Sequence, residues 1–398
     1  MARSLAFAIH SLNPWGGHDR STLEIARRLS AKIPVEVYSY AIEGTSWKPH
    51  RFHQVMPFLR RPAILLFIYF HVASIYFFRI RPKVCRKPLP LVHSTGTCSL
   101  FMDIVQVQFV NKAWKKKLSE ISEALYRLPG SRGGHLSRRW LSATYQNFLL
   151  KFNCYVEEAV YDSKKIYIAI SHSVADELKQ NFGIPVDKIR IIHHGVDSKQ
   201  FFPSLEDRKS LRKTIGLSES TVILLFVGEF ERKGLAVTIE ALGKVRHHDF
   251  YLMIVGNGQR EGFMAQAVDL GIGNKVHFAG HIKNVEQFYR MSDIFVLPTL
   301  YEPFGLVVLE AMASGLACVV SRCAGASELI VSGESGELIN DPENATEVSQ
   351  LIESLLKDPE RRGKMGRLAR KSAELRSWDK VAEEYYELLK PMLVEPDV

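Results

Sequence analysis

The chain has 398 residues, too many for one ordinary hydrophobic core, so two domains of roughly 150–200 residues each are expected. With 46% hydrophobic and 24% charged residues its composition is that of an ordinary soluble globular protein. Five scattered cysteines without a C-x-x-C exclude a disulfide frame, argue against structural zinc and fit reduced thiols in a cytosolic protein. The net charge of +9 is unevenly spread: residues 1–200 hold 29 Lys and Arg against 14 Asp and Glu, and the remainder 23 against 29. A basic first half points to an anionic partner, either a phosphate-rich acceptor or a membrane surface.

The first predicted strand is Leu5–Ile9; its apolar run is too short for a signal peptide and leads straight to the turn at Gly16-Gly17. A helix follows, with Leu23, Ala26 and Leu29 at helical spacing, so strand, glycine pair and helix outline a phosphate-approach turn. Val35–Tyr40 reads as a second strand. Ala63–Phe78 is the most apolar run, shorter than the ~20 residues that span a bilayer and flanked by Arg60, Arg61, Arg79, Arg81 and Lys83. It is either a helix buried on a sheet or an aromatic-rich interfacial element.

Leu89–Val92 leads to His93-Ser94-Thr95-Gly96, which puts His93 at a strand tip beside a turn. After Ile104–Val110 come two basic stretches, one at Lys112, Lys115, Lys116 and Lys117, the other at Arg132, Arg138 and Arg139 around Pro129-Gly130-Ser131. Trp114 and Trp140 are interleaved with them, but no nucleic-acid module is recognisable, so an acceptor or lipid headgroup is expected. Ile166–Ile170 ends in Ser171-His172-Ser173, which can cap the next helix. His193-His194 has no third ligand placed nearby, so no metal is expected there.

After a charged linker at Ser204–Lys213, strands and helices alternate. Val222–Val227 is a near-continuous apolar strand of the kind buried in a parallel sheet, and the following loop carries Arg232 and Lys233, placed to meet a diphosphate. Tyr251–Val255, Val276–Phe278 and Ala317–Val320 continue the rhythm of a doubly wound domain. The run Ile294–Leu297 ends at Pro298, and helical spacing resumes from Phe304 until Gly315. Glu302 thus lies just before a helix N-terminus and Glu310 two turns in. Gly305 lets a ligand approach the amides of Gly305, Leu306 and Val307, a ready site for a diphosphate. One glutamate would face the reacting group and the other a polyol such as ribose. Two helical patterns follow Pro342, the last spanning Trp378–Leu389.

Tyr301-Glu302-Pro303-Phe304-Gly305-Leu306-Val307-Val308-Leu309-Glu310-Ala311 resembles the E-x7-E signature of retaining glycosyltransferase family 4. Lys233-Gly234-Leu235, Gly256-Asn257-Gly258, Ser171 with Gly195-Val196-Asp197, and Gly16-Gly17 join the resemblance. The family implies an α/β fold of two facing Rossmann-like domains with a cleft between them, the glycosyltransferase B-type architecture. Residues 1–200 would form the acceptor side and 201–376 the donor domain, with a helix in 377–398 crossing back to the first. By matching position Glu310 would bind the ribose and Lys233, helped by Arg232, the diphosphate. Gly305, Leu306 and Val307 would offer amides, Glu302 would contact the transferred sugar, His93 would sit beside the anomeric centre, and Gly16-Gly17 would close on the diphosphate. One departure is Glu229, where many members carry an arginine. Subgroups with a basic first domain glycosylate lipopolysaccharide core or lipid-linked acceptors.

The expected reaction moves a hexosyl group from a nucleoside diphosphate sugar to a saccharide or lipid-linked acceptor in cell-envelope glycan synthesis. No cofactor is expected; with no D-x-D in a suitable loop, no metal is required; and no nucleic acid is a partner. Glu302 orients the sugar or acts as a nucleophile. The expected location is cytoplasmic, or peripheral on the cytoplasmic face of the inner membrane through an anionic lipid surface. The alternatives are a nucleotide-sugar epimerase on the same architecture and a catalytically silent binding subunit.

Overall fold

A computed structural model describes residues 3–55, 63–84, 89–120 and 136–393. The expected basic sites at Arg60, Arg61, Arg132 and the Pro129-Gly130-Ser131 break lie outside the described residues, as do the side chains of Lys83, Arg138, Arg139 and Trp140. The chain divides into two compact units, one of Met1–Lys116, Trp140–His194 and Trp378–Val398, the other of Lys117–Arg139 and Gly195–Ser377. Each is an α/β unit built on a parallel sheet, and the two are Rossmann-like domains.

The first unit contains β1 (Leu5–Ala8), β2 (Ser11–Leu12), β3 (Val35–Ser39), β4 (Ala41–Ile42), β5 (Arg51–Gln54), β6 (Leu91–Thr95), β7 (Ile104–Val107), β8 (Ile166–Ala169) and β9 (Ile189–Ile191). Seven of them form a sheet in the order β5-β3-β1-β6-β7-β8-β9, and β2 pairs with β4 apart from it. The central strands β1, β6 and β7 are buried along their whole length; β1 is an unbroken apolar run, while β6 and β7 also bury His93, Ser94, Thr95 and Gln106. Leu5 lies in register with Val35 on one side and Leu91 on the other, so the strand ends share one edge. The cap expected at Ser171 is present: its Oγ accepts from the Val174 amide at 3.2 Å, and Gly183 ends the helix His172–Phe182 at φ +63°.

Trp378–Leu393 is a helix of the first unit and lies against the helix Gly17–Leu29. Arg28 pairs with Asp379, and Lys32 pairs with Glu383 while lying 4.6 Å over the Tyr386 ring. Its buried face includes Trp378, Val381, Tyr385 and Leu389. The run Ala63–Phe78 forms the helix Ala63–Ile75, a π-helical turn Tyr76–Ile80 and a further turn Arg81–Val84. One face of it is buried at Phe70 and Phe78, and the other is exposed at Ile68, Val72 and Tyr76.

The second unit's sheet contains β10 (Val222–Val227), β11 (Phe250–Val255), β12 (Val276–Gly280), β13 (Ile294–Leu297), β14 (Ala317–Ser321) and β15 (Glu337–Ile339). Their order is β12-β11-β10-β13-β14-β15, parallel throughout. The order reverses beside β10, so the loops after β10 and β13 emerge next to each other at a topological switch point.

Two expectations need correction. Ser204–Lys213 is not a linker: Ser204 caps the helix Leu205–Thr214, inside which Arg212 is fully buried. Its guanidinium donates to Asp293 Oδ2 at 2.6 Å and to the carbonyls of Met291, Glu219 and Thr221, so charge density misled because these charges are satisfied internally. After Pro342 there are three helices rather than two, Ala345–Lys357, Pro359–Glu374 and Trp378–Leu393, the first two divided only by Asp358. Replacing the fully buried Tyr385 by Ala should cost about 3–5 kcal/mol, the range for deleting a core aromatic. Urea unfolding would read it; an unchanged midpoint would mean that the last helix contributes no core to the first unit.

Candidate active site

The site is built at the carboxyl ends of β10 and β13. β13 is followed by the loop Pro298–Phe304, and the helix Leu306–Ala313 starts at Gly305, which adopts φ +94°. That left-handed geometry favours glycine, and a Cβ there would lie 3.1 Å from Glu302 Cγ. The Leu306 and Val307 amides belong to the first helical turn and have no partner within the helix. Two neighbouring loops hold this one in place. Leu300 N donates to Arg232 O at 2.9 Å, Glu302 N to Cys323 O at 3.2 Å, and Gly325 N to Glu302 O at 2.9 Å.

Glu302 is the electrostatic centre. Its Oε2 lies 3.2 Å from Lys233 Nζ and 3.3 Å from an Arg232 nitrogen. Burial raises the carboxyl's pKa, but the two cations outweigh it and hold the group below the usual carboxylate range. Arg232 also donates to the Tyr301 carbonyl at 2.6 Å and to Glu229 Oε2 at 3.1 Å. Burial disfavours its charge and the carboxylates Glu302 and Glu229 restore it, with a net rise in pKa. The departure at Glu229 therefore places a second carboxylate on the same guanidinium. Lys233 is buried and reaches Glu302 through space left by Gly228 at φ +132°, where a Cβ would lie 2.5 Å from Lys233 Cδ.

Glu310 is the fifth residue of its helix, little more than one turn in rather than two, and is buried. Tyr289 donates to its Oε2 at 2.8 Å. Tyr289 is fully buried, on the short helix Glu286–Met291, and fixes the carboxylate. No spacing in the sequence links positions 289 and 310; only a tyrosine closing an otherwise ordinary amphipathic turn hinted at it.

In the first unit the Gly16-Gly17 turn opens the helix Gly17–Leu29 as expected. Asn13 Oδ1 accepts from the Trp15 and Gly16 amides at 3.0 Å, and Asp19 accepts from Ser11 Oγ and Asn13. Gln108 Nε2 donates to Ser21 Oγ at 2.8 Å, which ties β7 to the same helix and gives Gln106-Val107-Gln108 a structural use that sequence reasoning missed. His93 is not at a strand tip. It is the third of five residues in β6, fully buried, with its ring 4.7 Å from Phe7 and 5.9 Å from Tyr385. Burial pushes its pKa down to about 3, so it stays neutral.

Among the described residues of the second unit, His247, His248 and Glu353 bring possible ligand atoms within 4.8 Å of one another. The same Glu353 oxygen is already 2.8 Å from Lys357 Nζ, an ion pair that competes with any metal.

The description "Glycosyl transferases group 1" matches residues 207–372, and "Glycosyltransferase Family 4" matches 15–200. The chain belongs to the group 1/family 4 glycosyltransferases. It is 33% identical over 229 residues to the N-acetyl-alpha-D-glucosaminyl L-malate synthase of Bacillus anthracis, a match covering 56% of this chain and 59% of that protein. The chain spans about three fifths of the length of the curated relatives it matches. Its fold is similar to that of WaaG, a glycosyltransferase involved in lipopolysaccharide biosynthesis, with TM-score 0.73 at 20% identity over 98% of this chain and 100% of that one. It is also similar to Anabaena HepE in complex with UDP-glucose, with TM-score 0.68 at 19% identity over 98% and 99%.

Because Glu302 is held below its usual pKa in the folded state, its stabilising contribution is present above the unfolded value of about 4.3. It is lost as pH falls through the depressed folded value. Glu302→Gln should therefore flatten the acid limb of the stability profile, read by urea unfolding at stepped pH. Identical limbs in the two proteins would mean that the carboxylate is not paired.

Proposed function

We propose that this glycosyltransferase is a retaining enzyme that moves a hexosyl group from a nucleoside diphosphate sugar to a saccharide or lipid-linked acceptor. The observation that carries the reading is the Glu302–Lys233–Arg232 cluster at the start of the helix Leu306–Ala313, one helical stretch from the buried Glu310. Lys233 and Arg232 face Glu302, and Glu229 balances the second charge; an incoming anion would take over donors of these two cations, and the helix N-terminus adds a positive end beside them. A diphosphate is the ligand class this favours, and Glu310, held by Tyr289, suits the hydroxyls of a ribose.

Cleavage of the sugar–phosphate bond builds positive charge on the anomeric carbon and negative charge on the departing diphosphate. Lys233, Arg232 and the first-turn amides of Leu306 and Val307 stabilise the second charge as it develops. The acceptor oxygen bonds to the anomeric carbon on the face the phosphate leaves, and a phosphate oxygen takes the acceptor's proton, so configuration is retained. Glu302, already engaged by two cations, orients the sugar hydroxyls rather than attacking carbon. Charge neutralisation by side chains makes the reaction metal-independent and cofactor-free in this reading. The similarity to WaaG supports a role in cell-envelope glycan synthesis. Among the described residues no helix is long and apolar enough to cross a membrane. We read the enzyme as cytoplasmic, meeting a lipid-linked acceptor from the membrane's cytoplasmic face. No observation favours the epimerase reading.

A thermal-shift screen of nucleoside diphosphate sugars, followed by NMR of the product's anomeric configuration, tests the function. An inverted product, or no donor binding, would overturn it. Glu310→Ala should weaken nucleoside diphosphate binding ten- to a hundredfold, from charge-assisted hydrogen bonds of about 1.5–3 kcal/mol. Tyr289→Phe, which leaves the carboxylate in place, should cost less than tenfold. Calorimetric titration checks both, and an unchanged Kd for Glu310→Ala would remove it from the site.

Glu302→Gln should lower turnover while nucleoside diphosphate affinity holds or rises, since Lys233 and Arg232 lose a competing carboxylate. His93→Leu should keep turnover, because a neutral ring packed between Phe7 and Tyr385 belongs to the core. Full turnover by the first variant, or a folded but inactive second one, would reverse these assignments.

A further inference from the structure

The helix Ala63–Ile75 contains no charged residue, and a helix apolar all round ordinarily has both faces covered. Here one face is. Phe70 and Phe78 are buried, Phe70 packs with Val55 and Cys98, and its ring meets those of His10 and Tyr40. Phe78 meets the Tyr38 ring at 4.6 Å. These contacts fix which face points outward.

The outward face carries Ile68, Val72, Tyr76, Ile80 and Val84, each 47–76% exposed and each four residues from the next. On a regular α-helix a four-residue step drifts about 40° around the axis, so such a stripe would spiral out of line. The π-helical turn Tyr76–Ile80 lies within it, and its wider winding opposes the drift. The stripe is thereby kept on one side. A second helix, Leu136–Val160, extends the patch: its Phe152 meets Phe67 edge-on at 5.5 Å, and Phe148, one turn earlier, is exposed.

Charge identifies the occupant. From residue 44 to residue 102 the chain has nine Lys and Arg and no Asp or Glu. Arg79, next to Ile80, is exposed, and so is Arg51 on β5, which lies 3.7 Å from Glu36. An apolar stripe bordered by cations, with no acidic residue in the segment, matches the boundary between acyl chains and anionic headgroups of a bilayer. Tyr76 suits the same boundary, with an apolar ring and a polar tip. A second copy of this chain would instead bring its own cations against these.

We propose that the Ile68–Val72–Tyr76–Ile80–Val84 face docks the first unit on an anionic lipid surface, lying in the headgroup region without crossing. The assignment is independent of the donor cluster Lys233, Arg232, Glu302 and Glu310, which belongs to the second unit.

The full chain is floated with phosphatidylcholine vesicles and with vesicles containing phosphatidylglycerol, at low and high salt. Binding should require the anionic lipid and weaken as salt shortens the Debye length from about 8 Å at physiological strength. The triple variant Ile68→Ser, Val72→Ser, Ile80→Ser should bind at least tenfold more weakly while keeping its circular dichroism spectrum and urea unfolding profile, which control for folding of the first unit. Tyr76→Trp in the otherwise native chain gives a second readout: its emission should shift to the blue on anionic vesicles and be quenched by brominated lipid. Negligible flotation in every condition, unchanged binding by the triple variant, or no spectral shift would each overturn the proposal. So would a dimer in sedimentation that the triple variant abolishes without any vesicle binding by the native chain.

Discussion

The second unit depends on how one partly buried carboxylate, Glu302, is kept charged. Burial raises the pKa of Glu302, and Lys233 and Arg232 outweigh it and hold the group below its usual range. Removing one partner from such a cluster leaves an uncompensated buried charge, which is far more costly than the cluster's own net contribution. The loops that carry the three residues are therefore bound together. Lys233 needs the space left by Gly228, Arg232 O accepts from Leu300 N, and Glu302 is pinned by backbone bonds to 323 and 325. The consequence is a preorganised set of cations at a helix start. Preorganisation of this kind is what makes electrostatic stabilisation effective during a reaction.

The first unit handles charge in the opposite way. Two of its buried histidines are neutral: burial brings His71 down to about 4 and His93 to about 3. Cations are kept out of this interior, so the excess of 15 positive charges in the first 200 residues has to be met at the surface. The outward apolar stripe lies in the stretch from 44 to 102 that holds no acidic residue. Interior neutrality and surface charge are thus two sides of one arrangement, in which any anionic partner is met from outside.

Strands and glycine turns were legible in the sequence because their causes are local. β10 and β13 are buried on both faces and apolar throughout, so they could be read within a residue or two. The Gly305 helix start and the Ser171 cap follow from backbone geometry and short-range hydrogen bonds. The spacing of Glu302 and Glu310 was likewise visible, and with Lys233 it carried the family resemblance.

What tertiary structure alone decided are the pairings between segments far apart in the chain. Arg212 looked like part of a solvated linker until Asp293 and three carbonyls, 7 to 81 residues away, enclosed it. His93 looked like a strand-tip group until Phe7 and Tyr385 closed over it, because register, not composition, sets where along a strand a side chain emerges. Glu310 acquired Tyr289 and Glu302 acquired both cations only when the sheet order brought β10 beside β13. Sequence specifies which residues can be buried or charged. Which of them meet, and hence which charges survive burial, is a property of the packed sheet.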